Sequence, residues 1–147
     1  MRYIKILALS VLCLFFTNNV SQAETILSCK TAMEGHAYYH LGGLIKRKDA
    51  GWTKDKMSNY EIELTLVGDR ADIIFRDPYR RKISATADGG EVVIASGSQD
   101  YIHVIVMYPL ATELITFDIA NSQLWLSQQK HNSQVKKSAT FVGKCRY

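Results

Sequence analysis

The chain has 147 residues, 47% of them apolar and 22% charged, which suits a single globular domain. Its 18 basic and 14 acidic residues give a formal net charge of +4, and this falls to +2 without Arg2 and Lys5 of the first segment. So small an excess, with the basic residues scattered along the chain, argues against nucleic acid as a partner.

Residues 1–23 are predicted to be a secretory signal peptide. A positively charged start precedes the apolar run 6–16, and Ser21 and Ala23 place small residues at −3 and −1 of a cleavage point before Glu24. The run is too short for a transmembrane helix, which needs about 20 apolar residues. We therefore expect an exported protein, periplasmic or secreted, with no transmembrane anchor.

The mature domain, residues 24–147, contains two of the three cysteines, because Cys13 lies in the signal peptide. In an oxidising compartment Cys29 and Cys145 have one possible intramolecular pairing, near the two ends of the domain. Neither cysteine belongs to a Cys-x-x-Cys motif or has a histidine close in sequence, so a metal or nucleophilic role is not expected. The sequence predicts one structural disulfide, no metal site and no cofactor.

Most of the mature domain consists of short runs in which apolar and polar residues alternate, the pattern of half-buried strands. The predicted strands, in chain order, are 25–30, 37–41, 60–67, 71–75, 81–86, 91–96, 101–108, 113–119, 123–129 and 135–142. Turn residues separate them at Gly68-Asp69, Asp77-Pro78, Asp88-Gly89-Gly90, Asn121-Ser122 and His131-Asn132-Ser133, and Pro109 ends one strand.

This series predicts an all-β domain of about eight to ten antiparallel strands joined by hairpins. An antiparallel meander barrel of the lipocalin or avidin type is the first choice. The terminal disulfide suits a barrel, because closing one brings the first and last strands side by side. A two-sheet β-sandwich is the alternative that the sequence leaves open.

Several segments carry a resemblance: GWTKDKMSNYEIELTLVGDRADIIFRD, DGGEVVIAS, YPLATELITFDI and LWLSQQK. Together they span Gly51 to Lys130 and resemble a group of small exported bacterial all-β proteins of unknown function. Those proteins have no assigned activity, so the resemblance implies a structural class and a compartment but no chemistry.

Catalytic motifs are missing from the sequence. It contains no Gly-x-Ser-x-Gly nucleophile elbow and no glycine-rich phosphate loop. His36 and His40 lie in a predicted strand, which would separate them by about 13 Å and prevent them from sharing a metal. His103 alternates with apolar residues and is expected to be a half-buried strand residue. We therefore name no catalytic residue.

Two features point to binding surfaces. Residues 42–58 lack clear periodicity and are expected to form a long, mobile loop, in which Trp52 and Lys54 could contact a ligand or partner. Strand 101–108 is apolar on both faces, so Ile105 and Met107 should lie opposite the core-facing residues. An apolar outer face suggests a cover, which could be the long loop, a second copy of the chain or another envelope protein.

The sequence therefore favours an exported, non-catalytic binding or protein-interaction module of the cell envelope. It would act through the barrel mouth, where a small apolar ligand could bind, or through the apolar outer face. The alternative is a small periplasmic hydrolase whose site is assembled from scattered strand residues, His103 among them.

Overall fold

A computed structural model describes residues 23–76, 79–131 and 134–147 of the chain. Residues 1–22, with most of the predicted signal peptide and Cys13, lie outside this part, as do the turn residues Asp77-Pro78 and Asn132-Ser133. The strands are β1 (Glu24–Tyr39), β2 (Gly51–Val67), β3 (Arg70–Arg76), β4 (Lys82–Ser84), β5 (Glu91–Gly97), β6 (Tyr101–Tyr108), β7 (Ala111–Asp118), β8 (Gln123–His131) and β9 (Lys136–Lys144).

These nine strands form a single antiparallel sheet in the order β4-β3-β2-β1-β9-β8-β7-β6-β5, and the sheet curls into a half-barrel. The predicted all-β antiparallel meander is confirmed, and so is the strand number. Two predicted strands, 25–30 and 37–41, are the two ends of the 16-residue strand β1, whose register shifts between Thr31 and Met33. As expected for such a meander, the first and last strands are neighbours.

The pairing of β1 with β9 is confined to residues 33–39 and 137–143. Backbones approach closely there, since a Cβ atom at Gly35 would collide with the Thr140 carbonyl. Glycine at this position therefore permits the tight curl of the sheet. β2 pairs with β1 along its whole length, so the end from Glu24 to Thr31 is paired with β2 and not with β9.

The prediction that residues 42–58 form one long loop is wrong, because β2 begins at Gly51. Residues 40–50 alone connect β1 to β2, with a single 3-10 turn at Arg47–Asp49. This connection is tied to the chain before β9, where the Leu44 amide donates to the Gln134 carbonyl at 2.8 Å. It does not lie over β6, so it is not the cover expected for Ile105.

The strand that starts at Gly51 lacks the usual alternation for a physical reason. Its inward-facing residues Thr53, Asp55 and Met57 lie at the open end of the half-barrel rather than in the core, so polar side chains are tolerated there. Trp52 and Lys54 project from the opposite face and are exposed. A strand whose inner face is itself partly polar does not show the period-two alternation by which strands are recognised in a sequence.

The core fills the inner face of the half-barrel. Its largest fully buried side chains are Phe117, Phe141, Met33, Ile62, Leu64, Ile115, Leu124, Leu126, Val104 and Val106. Alternation along β6 places Val104 and Val106 in this core, while Ile105 is half-buried on the outer face and Met107 is exposed there.

The two edge strands, β4 and β5, are joined by residues 85–90, and Asp72 of β3 holds this connection in place. Its carboxylate accepts hydrogen bonds from the Ser84 hydroxyl at 2.5 Å, the Thr86 hydroxyl at 2.9 Å and the Thr86 amide at 3.1 Å. One half-buried side chain therefore connects the sheet to the segment that crosses its open side.

We expect Asp72→Ala to lower the free energy of unfolding by about 1–3 kcal/mol, because it leaves several donors without their charged acceptor. Urea unfolding followed by fluorescence measures the change. Asp69→Ala is the control, since Asp69 is exposed in the β2–β3 turn, and its effect should stay within about 0.5 kcal/mol. Equal losses in the two variants would contradict the role given to Asp72.

Candidate functional site

A cleft of about 670 Å³ opens on the inner face of the half-barrel, next to the turn from β6 to β7. We call it the mouth cleft. Its apolar and aromatic walls are formed by Met57, Tyr60, Phe75, Tyr108, Leu110 and Ala111. Its volume lies within the range of about 300–1,000 Å³ typical of small-molecule sites.

One side of the mouth cleft is polar. The Gln128 side chain, which is 6% exposed, donates from Nε2 to Glu113 Oε1 at 2.8 Å. Lys130 Nζ lies 3.6 Å from the same carboxylate oxygen. These three groups come from β7 and β8 and lie in contact with one another, so they give the cleft a connected polar wall.

Lys137 and Asp88 also line the cleft, and Lys137 belongs to a cluster with Asp55 and Tyr39. Asp55 Oδ2 accepts a hydrogen bond from the Tyr39 hydroxyl at 3.0 Å and lies 3.4 Å from Lys137 Nζ. Burial raises the pKa of Asp55, but the hydrogen bonds from Tyr39 and the Lys56 amide and the Lys137 charge outweigh burial and leave that pKa below its usual value. The cluster therefore keeps an ionised carboxylate.

Two tyrosines of the mouth cleft have perturbed pKa values. Burial, then the negative charges of Glu113, Asp88 and Asp72, raise the pKa of Tyr108 to about 12. Burial, followed by the Glu113 charge, also raises the pKa of Tyr60. Both hydroxyls therefore remain protonated at neutral pH and can donate hydrogen bonds to a ligand.

The outer face of the sheet carries a second depression, of about 540 Å³, between Trp52 on β2 and Trp125 on β8. We call it the outer groove. Serine, threonine and glutamine side chains of β8 and β9, together with Val142, form its floor. Trp125 was not among the residues singled out from the sequence, and only the strand order shows that it lies on the same face as Trp52.

The four residues selected from the sequence as binding candidates do not form one site. Trp52 and Lys54 lie on the outer face of β2, and Ile105 and Met107 lie on the outer face of β6. Five strand spacings separate β2 from β6 in the sheet, which corresponds to about 24 Å. Trp52 belongs to the outer groove, whereas Ile105 and Met107 belong to a different part of the same face.

Ile105 and Met107 form an apolar patch with Val93 of β5 and Leu114 of β7. Val93 and Leu114 lie directly beside Ile105 in the sheet register. Val93, Met107 and Leu114 are 38–42% exposed, so the described part of the chain leaves the patch largely open to solvent.

The barrel mouth was expected to bind a ligand, but none of the residues that line the mouth cleft was selected from the sequence. The sequence feature that could have indicated the cleft is a set of polar residues at inward-facing positions of β7 and β8, where apolar residues are expected. These residues are Glu113, Gln128 and Lys130. Such a break in the apolar series is ambiguous in a sequence, because it identifies a cleft only when the strand pairing shows that the three residues face inward together.

The contacts of the histidines are with neighbouring hydroxyl groups and rings. His103 Nδ1 lies 2.8 Å from Thr116 Oγ1 on the outer face, and its ring lies beside that of Tyr101. His40 lies between the rings of Tyr38 and His131, at centroid distances of 4.9 and 6.4 Å. Among the described residues, no group of three or more His, Cys, Asp or Glu side chains is placed to hold a metal ion.

The described residues also include no helix long and apolar enough to cross a bilayer. Comparison of the chain with protein-family models, with curated proteins and with solved structures found no match.

Proposed function

We propose that this protein is an exported, non-catalytic binding module whose mouth cleft holds a small, largely apolar ligand. The observation that carries the proposal is the mouth cleft itself, about 670 Å³ of space on the inner face, with aromatic walls and one connected polar side. The Cys29–Cys145 disulfide, with Cα atoms 5.4 Å apart, is compatible with an oxidising compartment.

The walls favour a ligand that is mostly apolar. Tyr60, Phe75 and Tyr108 bring three aromatic rings to the cleft, and Met57 adds a flexible side chain that adapts to irregular shapes. Burial of apolar ligand surface against such side chains supplies the main driving force for binding.

The polar wall limits which ligands fit. Lys130 and Lys137 each lie beside a carboxylate, so the cleft offers no unbalanced positive charge. A ligand with one neutral polar group suits this arrangement, because that group can accept a hydrogen bond from the Tyr60 or Tyr108 hydroxyl. A strongly anionic ligand would lose its hydration without gaining an unpaired counter-ion.

The pKa shifts support binding rather than catalysis. A general acid or base works best with a pKa near the operating pH, whereas Tyr108 has a pKa raised to about 12. The Glu113 carboxylate is held by Gln128 and lies near Lys130, as expected of a structural group.

An interaction role is the second candidate, and the apolar patch around Ile105 favours it. A second copy of the chain or another envelope protein could cover Val93, Ile105, Met107 and Leu114. Occupation of the mouth cleft does not depend on such a partner, so the two roles are tested separately.

A matched pair of substitutions tests the mouth cleft. Ala111 lines it, whereas Thr112 is the next residue along β7 and is exposed on the outer face. We expect Ala111→Phe to fill part of the cleft and weaken binding of the neutral fluorescent probe N-phenyl-1-naphthylamine about tenfold, which is about 1.4 kcal/mol. Thr112→Phe should leave the probe affinity unchanged.

Unfolding midpoints of both variants establish that they remain folded. Equal probe affinity in Ala111→Phe and the unsubstituted protein would contradict the proposal, as would an absence of probe binding to the unsubstituted protein. Native mass spectrometry of protein recovered from its export compartment adds an independent result, because a retained ligand appears as extra mass that Ala111→Phe should reduce.

A further inference from the structure

Two tryptophans flank the outer groove with their rings open to solvent. Trp52 is 72% exposed and Trp125 is 44% exposed. Tryptophan is highly buried on average, because its ring carries a large apolar surface. Two such rings at one depression form a surface suited to a ligand with flat apolar faces.

Neighbouring side chains hold both rings. The Tyr38 ring meets Trp52 edge-on, with centroids 5.5 Å apart, and His40 supports Tyr38 in the same way at 4.9 Å. Trp125 donates from Nε1 to Gln123 Oε1 at 3.1 Å, which satisfies the polar edge of its indole. These contacts restrict both rings, which lowers the loss of side-chain freedom on binding.

Between the two tryptophans the groove has a floor of neutral polar groups. Ser127 Oγ and Thr140 Oγ1 lie 3.2 Å apart, and the Ser138 hydroxyl donates to Gln129 Oε1 at 2.6 Å. Each hydroxyl has one donor and two acceptor positions, and the Gln129 amide nitrogen carries two donors. The floor thus keeps hydrogen-bonding capacity for a ligand that is rich in hydroxyl groups.

The charge of the outer groove fits a neutral ligand. Among the described residues that line it, Glu34 is the sole carboxylate and none is lysine or arginine. An anionic polymer would need a cluster of basic side chains along the groove, which the lining lacks.

The register fixes the length of the groove. Trp52 and Trp125 lie three strand spacings apart across the sheet and four residues apart along it, and these offsets are about 14 Å and 13 Å. The resulting diagonal of about 20 Å exceeds the size of a single sugar ring. A ligand in contact with both indoles must therefore contain several linked rings.

We propose that the outer groove binds a short, neutral oligosaccharide, whose sugar rings stack on Trp52 and Trp125 and whose hydroxyls bond to the polar floor between them. Sugar rings combine apolar C–H faces with hydroxyl edges, the two chemistries that the groove presents. This site lies on the opposite face of the sheet from the mouth cleft and does not depend on its occupant.

Glycan titrations followed by tryptophan fluorescence and by calorimetry test the proposal. The probes are laminarin (a β-glucan), dextran (an α-glucan) and the tetramer of N-acetylglucosamine, with glucose and N-acetylglucosamine as single-ring comparisons. We expect at least one of the three longer glycans to bind, and its single-ring counterpart to bind at least about tenfold more weakly.

Matched variants locate the binding. Trp52→Ala and Trp125→Ala should each weaken binding of that glycan about tenfold or more, because each removes one stacking surface. Tyr101→Ala is the control, since Tyr101 lies on the same face and is 41% exposed but does not line the groove. It should leave the affinity unchanged. Ala111→Phe should do the same, which keeps the result separate from that of the mouth cleft.

Three outcomes would overturn the proposal. They are failure of all three longer glycans to bind at millimolar concentration, unchanged affinity in the Trp52→Ala Trp125→Ala double variant, and an equal loss in Tyr101→Ala. Unfolding midpoints show whether each variant is still folded. The conservative variant Trp52→Phe keeps an aromatic ring and should therefore preserve most of the binding.

Discussion

Replacing Cys29 and Cys145 together by alanine is expected to lower the free energy of unfolding by about 3–5 kcal/mol. The two sulfurs are joined in the structure across a sequence separation of 116 residues, and both cysteines are at most 3% exposed. A bond that closes so long a loop removes much of the conformational freedom of the unfolded chain, for which the chain-entropy treatment gives about 5 kcal/mol as an upper figure. Alanine leaves no polar group in the core.

Urea unfolding of the double variant, and of the unsubstituted protein with and without reductant, measures this effect. Intact mass should rise by about 2 Da on reduction, as required for one disulfide from two thiols. The mass should also match a chain that begins at Glu24 and therefore lacks Cys13. Free thiols in protein recovered from its export compartment, or equal stability with and without reductant, would count against the disulfide.

The place of this bond in the sheet explains why we expect a large effect. β1 pairs with both β2 and β9 from Met33 onwards, whereas its earlier residues pair with β2 and not with β9. Cys29 lies just before Met33, and Cys145 follows the end of β9. The disulfide thus links two parts of the sheet where their shared hydrogen-bond ladder ends. Without it, the first half of β1 is held to β9 by side-chain packing alone.

The alternation of apolar and polar residues was sufficient to predict the all-β class and most of the strands, and the two cysteines near the ends of the domain suggested that the first and last strands are neighbours. Burial on one face gives β7 and β8 a period of two, and that signal is local in sequence. The start of β2 was missed because both of its faces are partly polar near Trp52. β1 was not recognised as one continuous strand, because the segments 25–30 and 37–41 each resemble a complete strand and Met33 lies in the stretch between them.

The candidate sites were harder to predict because each depends on pairing between distant strands. Trp52 and Trp125 share the outer groove only because β1 and β9 lie between β2 and β8. Glu113 and Gln128 meet because they are opposite one another in the β7–β8 register. Sequence patterns place each residue on a face of its own strand, but they do not state which strands are neighbours.

Val104 and Ile105 provide the sharpest test of how the two faces of β6 are assigned. Val104 is completely buried on the inner face, whereas Ile105 is half-buried on the outer face within the apolar patch. We expect Val104→Glu to lower the free energy of unfolding by about 3–5 kcal/mol or to prevent folding, because it places an unpaired charge in the core. Ile105→Glu should cost less than about 1 kcal/mol, since its carboxylate can reach water.

Chemical denaturation of the two variants measures the difference in stability, and light scattering after size exclusion measures the apparent mass. Similar losses of stability would show that the faces are assigned wrongly. A lower apparent mass in Ile105→Glu, with stability retained, would show that copies of the chain meet at the apolar patch. If stability and mass both stay unchanged, no second copy covers the patch in solution, and the interaction role loses the observation that favours it. Binding through the mouth cleft is unaffected by that result, because the cleft lies on the opposite face of the sheet.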